Sequence, residues 1–373
     1  MNSSDTIKVS VVMPIYNAYN YLRPAMDSVL DQTLREIELI CIDDGSTDNT
    51  LEILKEYQKQ DERVRIITEN NAGPSIARNK GLARSRGKYV CFLDADDFYE
   101  PTLLESLYKL CEEKDLDIAV TDYDHYNCRK ARFEEGIKPE HGKLLSGGTV
   151  CSKNEYPDVV FSLVSSNVWS KLFRREFLVE KGLLFPENIR VFEDVHFVMT
   201  AMAMATRVAR FDDVLVHHRI YSEQSKNKLF KKYYMQVPEL YVGIKAFLMH
   251  NGVYAPLSTS FTNYSTSRCY KVYNLLPGDA QEEFWDALHE SFALELGWDR
   301  AEPDDFEHPE IRDFTASVLM YSYAQKKRRS DKGIDEVNLD RVVPRLSQLA
   351  TDKKFRRFFR RLFGKKDAVK KKK

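Results

Sequence analysis

Two aspartates one residue apart, Asp94 and Asp96, are the first place in this sequence where side-chain type and spacing could do chemistry. Side chains alternate along an extended segment, so both carboxylates fall on one side of it. Carboxylates so placed can hold a hard divalent cation and leave coordination positions open for phosphate oxygens. The residues just before them, Tyr89-Val90-Cys91-Phe92-Leu93, are apolar and read as a buried strand that delivers the pair at its carboxyl end. Such a triplet also serves as an acidic turn that caps a following helix, and spacing alone does not choose between the two.

The elements around the triplet narrow the choice. Residues 8–13, 38–42, 64–67, 89–93 and 117–121 are short apolar, β-rich runs. Between them lie stretches of helical spacing, with Leu22, Met26, Val29 and Leu30 on one and Leu51, Leu54 and Tyr57 on the next. A further helix is expected to open at Pro101, since proline suits a first helical turn. Alternation of this kind predicts an α/β fold with a doubly wound, mostly parallel sheet and helices on both faces. Ligands of such sheets sit beyond the carboxyl ends of the strands. Oxygen-rich residues gather there: Pro14 to Asn17 after the first strand, Asp43 to Asp48 after the second, Asp94 to Asp97 after the fourth. Three polar strand ends predict one crevice.

Downstream, glycines and a proline (Gly136, Pro139, Gly142, Gly147, Gly148) mark loops or a hairpin over 127–165, and beyond about 225 the chain reads as mainly helical. Ile244, Phe247 and Leu248 form one stripe, and Phe284, Leu288, Phe292 and Leu296 another, both expected to be core. At 373 residues, 43% hydrophobic and 30% charged, the chain has the composition of a globular protein. No stretch of about 18 apolar residues is present to span a membrane, and residues 1–10 lack the apolar run of a signal peptide. The six cysteines form no CxxC pair and two lie in strand-like runs, so buried, reduced thiols and a cytoplasmic setting are expected.

In order and spacing, several motifs resemble those of the family-two glycosyltransferases. Val11-Val12-Met13-Pro14-Ile15-Tyr16-Asn17 is similar to the opening strand and nucleotide loop, and Asp43-Asp44-Gly45-Ser46-Thr47-Asp48 to the second motif. Asn71-Ala72-Gly73-Pro74-Ser75-Ile76-Ala77-Arg78-Asn79-Lys80-Gly81 matches the third, and Phe92-Leu93-Asp94-Ala95-Asp96-Asp97 the DxD. The resemblance spans roughly residues 9–225 and implies a GT-A fold. It implies that Pro14, Tyr16 and Asn17 surround the nucleoside and that Asp44 accepts from the base. Gly73 would allow close backbone approach, and Arg78 would lie near base and diphosphate. Asp94 would face the ribose or the metal shell, and Asp96 would ligate Mn²⁺ or Mg²⁺. The segment Phe185-Pro186-Glu187-Asn188-Ile189-Arg190-Val191-Phe192-Glu193-Asp194 resembles the acceptor-side motif, which makes Asp194 the general base beside Glu193. A single base opposite the leaving group implies inversion at the anomeric carbon. Asn167-Val168-Trp169-Ser170-Lys171-Leu172-Phe173-Arg174 also looks familial, with Trp169 either lining the sugar pocket or simply core.

In Val216-His217-His218-Arg219-Ile220-Tyr221 the two histidines stand where the family often has tyrosine. A strand sends neighbours to opposite faces, so only one can face the site. The histidine that does, His217 or His218, is a third metal ligand (assigned to His218), a phosphate contact or a plain strand residue, and Arg219 is a phosphate contact because its fork suits paired oxygens. The expected organisation is a GT-A domain over 1–225, with nucleotide-sugar binding in 1–125 and the acceptor side in 126–225. A helical region over 226–350 and a basic tail over 351–373 follow.

That tail carries twelve Lys/Arg against one acid, Asp367, within 353–373, while the whole chain has a net charge of −1. Phe355, Phe358, Phe359, Leu362 and Phe363 make one helical stripe between its basic residues. A basic amphipathic helix reads as an anchor on an anionic membrane surface, and no nucleic-acid module accompanies it. The expectation is a non-processive, inverting transferase on the inner face of the membrane. It would move one sugar from a nucleotide-sugar, UDP-sugar favoured, to a glycan or lipid-linked acceptor for a surface polysaccharide. Two other readings stand beside it: an inactive, transferase-like membrane scaffold, and a nucleotidyltransferase, which would need a basic glycine-rich loop that residues 14–17 lack.

Overall fold

The computed structural model describes residues 7–220 and 231–330. The basic tail over 351–373, like Tyr221, lies outside the described residues. Contacts divide the chain into Met1–Tyr264 and Ser265–Lys373.

The first unit is built on one nine-stranded sheet of β1 (Val9–Ile15), β2 (Ile37–Asp43), β3 (Val64–Thr68), β4 (Tyr89–Phe92), β5 (Phe98–Tyr99), β6 (Ile118–Asn127), β7 (Arg132–Glu135), β8 (Lys171–Arg174) and β9 (Val208–Ile220), in the order β3-β2-β1-β4-β8-β6-β9-β5 with β7 paired to β6. β1 (Val9–Ile15) and β2 (Ile37–Asp43) lie side by side and in parallel, with β3 (Val64–Thr68) outside β2 and β4 (Tyr89–Phe92) on the other flank of β1. β2 is buried at every position, as a strand covered on both faces must be, and so reads as a continuous apolar run. α1 (Leu22–Leu30) buries Leu22, Ala25, Met26, Val29 and Leu30 at helical spacing. α2 (Thr50–Gln60) buries Ile53 and Leu54, while Leu51 and Tyr57 are half-buried. α3 (Pro74–Arg84) lies so close to β1 that a methyl at Gly81 would strike the Val12 side chain. The chain runs outward from β1 to β3, then returns to place β4 on the opposite flank. The switch in strand order therefore falls between β1 and β4, where such sheets bind ligands.

The remaining strands depart from simple alternation. β5 (Phe98–Tyr99) follows the acidic triplet, and α4 (Leu103–Lys114) starts two residues after Pro101. The Pro101 carbonyl accepts from the Thr33 N–H at 2.8 Å instead of opening the helical ladder. β6 (Ile118–Asn127) runs further than expected: its first four residues are buried, and the last six are half-exposed beyond the core. The predicted hairpin is β6 with β7 (Arg132–Glu135). β8 (Lys171–Arg174) inserts between β4 and β6, antiparallel to both, and β9 (Val208–Ile220) pairs in parallel with β6. α6 (Glu193–Met204), preceded by the short α5 (Arg175–Glu180), buries most of its residues.

In the helix Gln236–His250, Ile244 and Leu248 are buried as expected. The second unit packs around Phe314 with the fully buried Trp285 and Trp298, whose indole N–H groups donate to the Tyr321 carbonyl and the Ser265 hydroxyl. Phe284, Leu288 and Leu296 are buried there too. All six cysteines are unpaired and five are buried. Among the described residues, no helix is long and apolar enough to cross a membrane.

Candidate active site

The strand ends converge as their polarity implied. A cleft of about 820 Å³ is lined by Pro14 to Ala18 from the end of β1, Asp44 from β2, Asn71, Gly73 and Arg78 from the β3–α3 passage, and Asp94 to Asp96 after β4. Tyr21, Arg190, Glu193 and Tyr233 complete the wall. Of the residues singled out from sequence, Pro14, Tyr16, Asn17, Asp44, Gly73, Arg78, Asp94 and Asp96 all border it.

Its floor is held by reciprocal loop bonds. Asn17 adopts a left-handed φ of 50°, and its Oδ1 accepts from the Thr47 N–H at 2.8 Å while its own N–H donates to Ser46 Oγ at 3.0 Å. This ties the β1 loop to the β2 loop and leaves the Tyr16 ring 51% exposed over the cleft. Asp44 is buried, and its two oxygens accept the N–H groups of Ala72 (2.7 Å) and Gly73 (2.8 Å). The carboxylate thus fixes the glycine loop, and each oxygen keeps a further lone pair for a ligand donor. Gly73 has φ of +96°, a conformation that disfavours any side chain.

Arg78 occupies the centre. Its side chain is only 7% exposed, and it joins Asp94 Oδ1 through Nη2 and Glu193 Oε1 through Nη1, each at 2.9 Å. Burial works against this charge, and the two carboxylates more than restore it, holding the guanidinium above its ordinary range. One side chain therefore links the acidic triplet to the acid pair on α6. Beside it, Asn79 Nδ2 donates to the Phe185 carbonyl (3.0 Å) and Asn79 Oδ1 accepts the Phe185 N–H (2.9 Å), which docks the segment leading to α6.

Glu193 and Asp194 open α6 after Phe192, which sits in the left-handed region at φ 62°. Strained non-glycine backbone of this sort costs about 1–3 kcal/mol and clusters at functional sites. Asp194 is enclosed by protein on most sides. Burial first, then the charge of Glu193, pushes its carboxyl up to about 7, with Arg78 pulling the other way. Below it lies Lys171 on β8, fully buried, with Nζ donating to the carbonyls of Ser165 (2.7 Å) and Asn167 (2.5 Å). Burial lowers this amine to about 7, against the charge of Asp194.

The two histidines do point apart. His217 is buried, with Nδ1 2.7 Å from Asp124 and Nε2 2.9 Å from Glu100. His218 stacks on Trp169 at 5.4 Å between centroids, with Nδ1 3.1 Å from Nδ1 of His125. Arg219 donates its N–H to Asp97 Oδ1 at 2.9 Å and lays its guanidinium over Phe98. Neither His218 nor Arg219 lines the cleft.

For a hard divalent cation the donor set fits. Asp96 is an exposed carboxylate on the cleft wall, and Asp94 is half-buried with only Oδ1 committed to Arg78. Oxygen ligands at an open site suit Mg²⁺ or Mn²⁺ beside phosphate. Sequence reasoning passed over Arg190 and the docking by Asn79, and named Lys171 only within a motif. The partners of all three lie far off in the chain or on the backbone, so no local pattern marks them.

A family model described as glycosyl transferase family 2 matches residues 10–209. The chain is 32% identical over 253 residues to the uncharacterised glycosyltransferase YibD of Escherichia coli K12, covering 64% of this chain and 71% of that protein. It is 28% identical over 319 residues to the poly(ribitol-phosphate) β-glucosyltransferase of Bacillus spizizenii, covering 82% of this chain but only 47% of that relative. Among solved structures, S. aureus TarS 1–349 in complex with UDP-GlcNAc superposes with a TM-score of 0.69 at 20% identity, over 87% of this chain and 92% of that one. At that identity the likeness is one of fold, which is GT-A-like.

Proposed function

The chain belongs to glycosyl transferase family 2, and from that premise we propose that it moves one sugar per event from a UDP-sugar to a hydroxyl of a glycan or lipid-linked acceptor, with inversion, in the assembly of a surface polysaccharide. The observation that carries this reading is the cleft itself. It has hard oxygen ligands at one wall, Glu193 at the other and Arg78 between them; Asp194, next to Glu193 and off the lining itself, has a carboxyl pushed up to about 7. The UDP-GlcNAc in the TarS structure supports the donor class.

In this reading Pro14 and Tyr16 flank the nucleoside, Asn17 keeps the loop that carries them in place, and Asp44 accepts from the base while holding the Ala72–Gly73 turn. Asp96, with Asp94 beside it, would hold Mn²⁺ or Mg²⁺, whose charge stabilises the departing diphosphate as a Lewis acid. Arg78 fixes Asp94 relative to Glu193 and so sets the distance between the two halves. Asp194 takes the proton of the attacking hydroxyl, and its raised pKa near 7 makes it a stronger base than an ordinary carboxylate. Attack from the Asp194 side, opposite the diphosphate, gives inversion. His218 as a metal ligand and Arg219 as a phosphate contact rest on residue type alone, and both lie off the cleft wall. The tail over 353–366 is assigned to an anionic membrane on the cytoplasmic face by its charge and apolar stripe, and equal vesicle binding by full-length and Lys353-truncated protein would reject that part.

A nucleotide-sugar panel scored for diphosphate release tests the activity, run with Mn²⁺, with Mg²⁺ and with chelator. One UDP-sugar turned over in a metal-dependent way is the expected result. No turnover of any donor, with or without lipid acceptor, would contradict it and favour a scaffold.

A further inference from the structure

The resemblance puts Arg78 near base and diphosphate, but each of its Nη groups already donates to a carboxylate, Asp94 or Glu193. The cleft wall carries four carboxylates, on Asp44, Asp94, Asp96 and Glu193, against two guanidinium groups, on Arg78 and Arg190. Arg190 is exposed and, among the described residues, makes no ion pair; its side chain donates one hydrogen bond, from Nη1 to the Ala72 carbonyl at 3.4 Å. Its root is nevertheless fixed. The Arg190 N–H donates to Gln236 Oε1 at 2.8 Å, and Gln236 Nε2 donates to the Asn188 carbonyl at 3.3 Å.

The loop opposite makes room for it. A Cβ at Gly73 would stand 2.6 Å from Arg190 Nη1, so the guanidinium rests in the space that glycine leaves bare. Asp44 holds this glycine by its N–H, so the residue that shapes the nucleoside end of the cleft also shapes the seat of Arg190. A guanidinium with unused donors, in a cleft of excess negative charge, has fork geometry suited to paired phosphoryl oxygens.

Resting on the nucleotide-sugar reading above, we infer that Arg190 is a donor-binding residue that closes over the diphosphate from the acceptor side of the cleft. It supplies the phosphate contact that Arg78, tied to two carboxylates, does not. Because Arg190 lies three residues before Glu193, donor binding through it also braces the start of α6.

The test is titration of full-length wild type, R190Q and R190K with UDP and with uridine, in Mn²⁺ and without acceptor. UDP binding should weaken about 10–100-fold in R190Q, the loss of a charge-assisted contact, and less in R190K, while uridine binding stays as in wild type. Uridine binding also reports that the nucleoside end remains folded. UDP affinity in R190Q within twofold of wild type would overturn the inference. Equal weakening of UDP and uridine would also overturn it, by placing Arg190 on the glycine loop alone. A wild-type protein that binds no UDP would instead sink the donor reading from which the inference proceeds.

Discussion

The donor half and the acceptor half of the cleft are built by opposite strategies. In the donor half each site residue lies within a few positions of the strand that presents it, and the strands β3, β2, β1 and β4 are all parallel. Loop bonds such as Asn17 with Thr47 and Asp44 with Gly73 then join neighbouring strand ends. The acceptor half has no such frame. Its proposed base, Asp194, stands at the start of α6 after a strained Phe192, and the segment around it is held by α3: Arg78 grips the neighbouring Glu193 from 115 positions away and Asn79 grips the Phe185 backbone from 106. The donor wall is set by the sheet, whereas the acceptor wall is docked onto it by two adjacent side chains. One helix face therefore decides whether the two halves meet at reacting distance.

That contrast can be broken one half at a time. D194N should cost about 10²–10⁴ in kcat, the range for loss of a general base, with UDP affinity unchanged by titration; loss of UDP binding would mean the halves are not separable. D96A should abolish metal-dependent UDP binding and lower transfer about 10²-fold or more, since it removes leaving-group stabilisation; activity untouched would sink the metal mechanism. N79A leaves the Phe185 N–H and carbonyl without their buried partner. It should destabilise the fold by about 1–3 kcal/mol in a denaturant titration and lower kcat, while uridine binding persists. E193Q has the smallest expected effect. The wild-type profile of kcat/KM should fall as pH drops through about 7, because Asp194 must be ionised to act and burial, then Glu193, raises its pKa. Removing the Glu193 charge also leaves Arg78 less neutralised, and both changes move that midpoint to lower pH. A midpoint that stays or rises would remove Glu193 from the account.

The same contrast explains what the sequence disclosed. Pro14, Tyr16, Asn17, Asp44, Gly73, Arg78, Asp94 and Asp96 border the cleft, because a strand followed by a polar turn is a local pattern that survives folding, whereas His218 and Arg219 on β9 do not border it. α1 was legible from Leu22, Met26, Val29 and Leu30 for the same reason. β8 was not: Lys171–Arg174 enters the sheet between β4 and β6, and its four residues carry no sign of the strands it will join. Nor could spacing show that Arg78 serves carboxylates before phosphates, that Asp44 spends both oxygens on backbone, or that Arg190 rests against Gly73. His217 and His218 were correctly separated by strand alternation. Which partners they would meet, Asp124 and Glu100 for one and Trp169 and His125 for the other, depended on pairings made across the fold.

The proposed transfer sets Asp96 on the leaving-group side and Asp194 on the acceptor side of one reacting centre. Proton NMR of the transfer product reads this directly, from the coupling of the anomeric proton at the new linkage. From an α-linked nucleotide-sugar the account predicts a β-linked product. An α-linked product would mean retention, and would contradict a single displacement between these two walls.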